Sequence, residues 1–404
     1  MWKFVEKNRI LRCLEIVALV VTLLLSSGGF FFGFQKVNAY SGSLTYVGEV
    51  ELQRQFDQED YDDDSRFCDV IYADGEKKMI VKYSYEDYLE LTDDTLIAYE
   101  YVADDGVTLC FDHPEPSFAE AKAAYKDLMS SATMTYFNVG TSCLILALSV
   151  ALMLAYAGFF TTYEKCWFLL IMLAATIVSV LFPEESANGV NGIVIMLLYL
   201  LDTFFNILCE LLISKQSRYN FLVSVVVEIL EIAICIVLMY RFATMVSTLF
   251  FWLPIDILSF INWSKHKDDR EDELTKVRKL KGYQEVLVIL AIALWTVVVG
   301  YFLSGLDIAT DFFGGNRTLT TIVTYLDACA SAVGVANGLF IFFRMQEQWI
   351  AWYVCAILEA VINIVSGQYV LLVLKVGYLT NSTYGYIKWN RYIKTHQEEK
   401  LTLL

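Results

Sequence analysis

Histidine is nearly missing from this 404-residue chain: there are three copies, His113, His266 and His396. All three fall outside the apolar runs described below, and no His, Cys and acidic residues share metal-ligand spacing, so hydrolytic or metal chemistry is nearly excluded. A phosphate-binding glycine loop is also lacking, which argues against ATP-driven transport within this chain and leaves no cofactor to expect. The nine cysteines include no C-x-x-C pair, and seven of them, in or beside apolar runs, read as small buried hydrophobes. Charge is scarce as well, at 19% against 57% hydrophobic residues.

What the chain has instead is apolar sequence gathered into blocks, the mark of a polytopic membrane protein. Ten segments are long enough to cross a hydrocarbon core of about 30 Å. They lie near 13–34, 136–160, 166–183, 190–213, 220–240, 242–263, 284–304, 319–343, 346–366 and 369–389. Basic residues orient them, since short loops rich in Lys and Arg stay cytoplasmic. Lys3, Lys7, Arg9 and Arg12 precede the first span, Lys215 and Arg218 follow the fourth, a basic run from Lys265 to Lys281 follows the sixth, and Arg391 and Lys394 follow the tenth. Alternation from a cytoplasmic start places every group inside, both termini included. Residues 1–35 form the first anchor, although its basic start, apolar run and Val37-Asn38-Ala39 also fit a cleavable signal peptide, which would leave nine spans in unchanged orientation.

The formal charge of −16 comes almost wholly from residues 36–135, which carry 23 acidic and 8 basic side chains. This block falls outside the cytoplasm, so it does not seek nucleic acid, and it repels anionic headgroups and solutes. Alternating runs at Ser43–Glu51, Lys78–Tyr85 and Leu96–Val102, broken at Asp74-Gly75 and Asp105-Gly106, read as a small β-rich module. Ser117 to Ser130 then turns helical. Asp60 to Asp64 lacks the alternating acids and Gly of an EF-hand loop and reads as a solvated acidic loop. Cys68 and Cys110 are the two cysteines here; a disulfide between them and two free thiols both fit. Residues 136–189 add two helices, 190–396 form a seven-span core, and 397–404 are a cytoplasmic tail.

Within the core, Phe260-Ile-Asn-Trp263-Ser-Lys265 recurs as Tyr386-Ile-Lys-Trp389-Asn-Arg391. Asp202 and Asp327 recur at nearly the same offset, which marks an internal repeat of three helices, one linker and three helices. Because the linker is a single span, both triplets run in the same direction.

Three marks together carry a family resemblance. Glu347, Trp349 and Trp352 form E-x-W-x-x-W; Gly367-Gln368-Tyr369 forms a turn; Gly385 to Trp389 forms Gly-Tyr-Ile-x-Trp. In these, residues 190–396 resemble the nicotinamide riboside and nicotinamide mononucleotide transporter family PnuC. The resemblance implies a SWEET-like all-α membrane fold with a substrate site near the midplane between triplets, to which this chain adds its β-rich outer insertion. It further implies facilitated uptake of a nicotinamide riboside-like small molecule across the lipid bilayer, with a cytoplasmic riboside kinase trapping the product. A homo-oligomer is compatible with it. In the family the Trp349 and Trp352 pair helps hold the nicotinamide ring; a headgroup-level belt tryptophan is the alternative reading for either. Asp327 matches a family acid and reads as site lining or as a helix-pinning hydrogen bond. Asp256, beside Pro254, stands where the family has Asn and reads as polar lining, with a proton- or cation-coupled site formed with Glu228 and Glu231 as the other reading. Ala356 and Leu249 replace further polar family positions, so a related nucleoside or vitamin remains open as substrate.

Glu359 and Lys375 are seven and six residues from the turn at 366–369, on consecutive antiparallel helices. Both lie roughly 9–11 Å below one surface, so an intramembrane ion pair is expected, acting as a static clamp or an outer gate. A sensor using the outer module is the competing class, but no cytoplasmic output domain accompanies it.

Overall fold

The computed structural model describes residues 9–38, 42–62, 65–75, 77–187, 189–215, 217–239, 241–265, 280–305 and 316–402. The chain divides into two compact units, Gly28–Phe137 and Met1–Ser27 with Asn138–Leu404.

The smaller unit is built on five antiparallel strands, β1 (Leu44–Asp62), β2 (Ser65–Asp74), β3 (Lys77–Ser84), β4 (Thr95–Ala103) and β5 (Thr108–Phe111), with a short helix α2 (Tyr85–Glu90) between β3 and β4. Their order is β3-β2-β1-β4-β5. Gly75 (φ 60°) and Gly106 (φ 86°) occupy left-handed positions in the β2–β3 and β4–β5 turns, where a side chain is disfavoured. Leu52, Cys68, Val70, Tyr72 and Ala98 fill one core, and Tyr101, Leu109 and Phe111 pack against Ala121 and Tyr125 of α3 (Phe118–Ala155) in a second. Lys77 on β3 reaches Glu100 on β4 at 2.8 Å, although two strands separate them in the sheet order, so the sheet curls strongly. No disulfide joins Cys68 and Cys110, in keeping with the second of the two readings the sequence allows. Cys110 packs beside the Cys68 cluster, and the apolar core satisfies both as small hydrophobes. The acidic run lies at the β1–β2 hairpin; Asp63 and Asp64 fall outside the described residues.

The larger unit is all helical. Besides α3, it contains α1 (Arg9–Asn38), α4 (Thr162–Leu181), α5 (Gly192–Ser214), α6 (Asn220–Leu238), α7 (Phe242–Ser247), α8 (Leu253–Lys265), α9 (Gly282–Ser304), α10 (Arg317–Phe342), α11 (Gln348–Val365) and α12 (Tyr369–Thr402). Among the described residues nine helical segments are long and apolar enough to span a membrane, Phe242–Lys265 counting as one. The tenth, α12, is long enough but interrupted by Lys375, Asn381 and other polar side chains that turn inward. This is a polytopic membrane protein. The outward face of the linker helix α9 is apolar: Leu287, Leu290, Leu294 and Val297 are all exposed, as suits lipid.

The first triplet is α5, α6 and the broken helix α7–α8; the second is α10, α11 and α12. Between α7 and α8 lies a π-helical turn, Thr248–Trp252, immediately before Pro254. Proline lacks the N–H that would continue the ladder, and the wider turn accommodates the lost bond.

Side-chain geometry shows the repeat directly. Ile229-Leu230-Glu231 of α6 recurs 128 residues later as Ile357-Leu358-Glu359 of α11. In the same register Cys209 Sγ lies 3.5 Å from the Asn220 carbonyl, while the Asn337 amide, turned to satisfy both neighbours, donates to the Gln348 carbonyl at 2.9 Å. Phe221 meets Trp263 edge-on at 5.1 Å and 85°, and Trp349 meets Trp389 at 5.6 Å and 85°. The two signature tryptophans, Trp263 and Trp389, are themselves 6.3 Å apart, so parallel triplets close against each other at one end.

The extra helices are pinned to this core through buried charge. Lys165 of α4 reaches Glu15 of α1 at 3.2 Å. Glu164, fully buried at the α4 N-terminus and part of a capping box with Thr161, meets Lys215 at 3.0 Å and Lys388 at 3.6 Å. Such residues are too costly to face hydrocarbon alone, so each pair fixes a helix in place.

Candidate functional site

A cavity lies between the triplets, lined by all six of their helices. Centres of water-sized molecules can occupy about 100 Å³ of it. A single water needs about 10–15 Å³ by that measure, so the space suits a small molecule. One wall is aromatic: Trp352 of α11 lies 6.0 Å from Trp252 at 15°, close to parallel, and 5.2 Å from Tyr378 of α12. Trp352 Nε1 donates to Asn337 Oδ1 at 3.2 Å, which fixes the ring plane. Trp252 comes from the π turn, whose extra residue per turn rotates it onto the cavity.

The charged part of the lining is mostly acidic. Asp202 and Asn206 of α5 are joined at 2.9 Å, and Asn206 in turn accepts a bond from the Tyr378 hydroxyl. Glu210 accepts from Asn381 Nδ2 at 2.8 Å, and Glu231 from Thr248 Oγ1 at 2.8 Å. Glu228 of α6 and Asp256 of α8 turn their carboxyls toward each other, with Ser224 beside both.

At the end of the cavity near the 366–368 turn stands a four-residue charge network. Lys375 Nζ is 2.5 Å from Glu359 Oε2, and Arg241 Nη2 is 2.5 Å from Glu359 Oε1. Arg241 Nε reaches Asp327 Oδ1 at 3.5 Å. Asp327 also accepts from Ala243 N at 3.0 Å and Thr244 Oγ1 at 2.5 Å, so it caps the N-terminus of α7.

A family model described as nicotinamide mononucleotide transporter matches residues 196–391. A nicotinamide riboside transporter PnuC from Neisseria mucosa is 25% identical over 248 residues, 59% of this chain and 85% of that protein. Its counterpart from Haemophilus influenzae is 24% identical over 235 residues, 57% of this chain and 91% of that protein. Residues 196–391 are thus similar to the PnuC transporters. Members are transporters rather than enzymes. A solved structure titled "Crystal structure of the Vitamin B3 transporter PnuC" covers 59% of this chain and 94% of its own at 25% identity, with a TM-score of 0.46.

Against this PnuC frame the sequence-derived site residues separate. Trp352 and Asp256 line the cavity, as do Glu359 and Lys375. Trp349, expected to join Trp352 on the substrate, is not among the residues lining this cavity. It is 1% exposed, wedged between Trp389 and Gly385, where a Cβ would collide with its ring. It is equally no headgroup-belt residue. Phe221 performs the same packing in the first triplet, so the role is structural.

Asp327 is also off the cavity and bonds the α7 N-terminus, in keeping with the helix-pinning reading. In the 128-residue register it aligns with Tyr199, and Asp202 with Ala330, so the two acids are not equivalent. Leu249, reached by ungapped counting from Trp263, is 46% exposed, because the π turn shifts the phase of the helix. Ala356 is fully buried among apolar neighbours. Two functional residues escape a reading of the sequence. Arg241 lies at a helix break with φ 58°, outside any apolar run, and Trp252 looks like an ordinary core aromatic until the π turn is known.

Proposed function

We propose that this protein carries nicotinamide riboside or a close analogue across the membrane, by alternating access of the two triplets about the cavity between them. The observation that supports it is the near-parallel Trp252 and Trp352 pair on the wall of a cavity whose charged lining is mostly acidic, in a core similar to the PnuC transporters. A flat ring stacks on such a wall, and a cationic one gains further from the aromatic faces. Nicotinamide joined to ribose through its ring nitrogen is both flat and cationic. The basic loops favour an orientation with both termini and the 265–281 loop in the cytoplasm and residues 36–135 outside, which sets the Arg241–Glu359–Lys375 network at the outer mouth. Phosphorylation of the imported riboside adds about −1.5 to −2 of charge; an acidic cavity repels that product, so a cytoplasmic kinase would trap it.

Proteoliposomes holding only this protein test the reading. Labelled nicotinamide riboside is expected to equilibrate into them and to be competed by unlabelled riboside far better than by the mononucleotide. Uptake equal to that of protein-free vesicles refutes it.

A further inference from the structure

The acids of the cavity are not equivalent. Asp202, Glu210 and Glu231 are each engaged by a hydroxyl or amide donor, and Glu359 by two cations. Glu228 and Asp256 differ. They are 4% and 2% exposed, they face the cavity and each other, and, beyond the Ser224 hydroxyl beside them, no donor is placed to bond either oxygen of Glu228 or Oδ2 of Asp256. Two carboxylates offer acceptors only. Packed together in an apolar setting they do not both remain charged without a positive partner. A single positive charge between them satisfies both.

The surrounding charges leave that need unmet. Along α6 the nearest titratable group is Glu231, and on α5 the pair faces Cys209, with Glu210 next to it; all are acidic or neutral. The two cations of the cavity, Arg241 and Lys375, are held on Glu359. The wall from α8 and the π turn supplies Asp256 itself and the Trp252 ring. The repeat register sharpens the asymmetry: Glu228 corresponds to Ala356 and Ser224 to Trp352, so the first triplet contributes acid where the second contributes an apolar surface and the stacking ring.

We infer that the Glu228–Asp256 pair is a monovalent-charge site, occupied by one proton in the empty transporter and by the cationic ring of the substrate in the loaded one. This rests on the proposed function and adds a consequence to it. Loading exchanges one charge for another: the protonated pair and a pyridinium ligand become the doubly ionised pair with the ligand bound, and one proton leaves to solvent. No redox step is involved and charge balances. Ligand affinity therefore falls as pH falls, because the proton competes for the same carboxylates. An uncharged ring of the same shape gains nothing from the exchange.

Calorimetric binding of nicotinamide riboside to the purified full chain, in buffers of differing ionisation enthalpy, reads the proton directly. The expected result is release of about one proton per ligand near neutral pH, with affinity weakening up to about tenfold per pH unit on the acid side. The uncharged 1,4-dihydro riboside is expected to bind more weakly and release none. Glu228→Gln and Asp256→Asn should keep binding measurable while removing both the proton release and the pH dependence; if either variant misfolds, the wild-type measurement stands by itself. Riboside binding without proton release, or equal affinity for the charged and uncharged rings, overturns the inference and leaves the transport reading standing. Absence of binding by both rings at every pH sinks the transport reading as well.

Discussion

Arg241 and Glu359 are held 2.5 Å apart from opposite triplets, Arg241 at the α6–α7 break and Glu359 on α11. The same guanidinium touches Asp327, which caps α7, so one side chain ties the broken helix of the first triplet to two helices of the second. Lys375, by contrast, serves only one end of this chain of charges. Removing Arg241 takes the cation from Asp327 altogether and one of two from Glu359; removing Lys375 takes one from Glu359 alone. Arg241→Met is therefore expected to cost more, about 3–5 kcal/mol for breaking a buried pair, and Lys375→Met less. Thermal unfolding of the purified variants in detergent checks the order. Equal losses would mean that the network is not centred on Arg241.

Trp349 and Trp352 should part company on mutation. Trp349→Ala empties a packed aromatic cluster and is expected to destabilise the protein by about 3–5 kcal/mol. Trp349→Phe, matching Phe221 of the first triplet, should leave ligand affinity within about threefold of wild type, well under 1.4 kcal/mol. Stability and binding measured side by side test this.

Gly385 offers a smaller, sharper test. Its missing Cβ is the space occupied by the Trp349 ring. Gly385→Ala should destabilise by about 1–3 kcal/mol through overpacking, and Trp349→Phe in the same chain should recover part of that loss. No recovery would show that the two residues do not compete for this space.

In the β module Asp112, with Glu120 behind it, holds the His113 imidazole above its ordinary range. A raised folded-state value means that the contribution to stability is complete below the unfolded value, about 6.5, and is lost as pH rises through the folded one. Titrating the His113 ring signals by NMR in wild type and Asp112→Asn checks the direction: the variant should titrate at lower pH.

Since no disulfide joins Cys68 and Cys110, reductant should leave the thermal midpoint unchanged, and thiol titration of the denatured protein should give the same count with or without prior reduction.

Much of this architecture is legible in the amino-acid sequence. Span lengths, the repeated [FY]-I-x-W marks and the basic loops define the helical core, because hydrocarbon permits few alternatives. The close approach of Glu359 and Lys375 follows from counting helical rise on both sides of one turn. What escapes are features fixed by local departures from ideal helix. Arg241 lies in a left-handed linker position, Trp252 is turned by a π-helical bulge, and Trp349 and Trp352, only three residues apart, diverge by about 60° around α11, enough to send one into the core and the other to the cavity. Asp327 resembles lining because a buried acid in a span usually is; its partner is a helix N-terminus that sequence does not reveal.

The central claim is that Trp352 forms the ring-stacking wall of the site between the triplets. Equilibrium binding of nicotinamide riboside to wild type, Trp352→Ala and Trp349→Phe tests it most directly. Loss of about 1–3 kcal/mol, the usual value of a ring stacked on an aromatic side chain, is expected for Trp352→Ala, with little change for Trp349→Phe. Full affinity in folded Trp352→Ala, or loss confined to Trp349→Phe, would contradict the account.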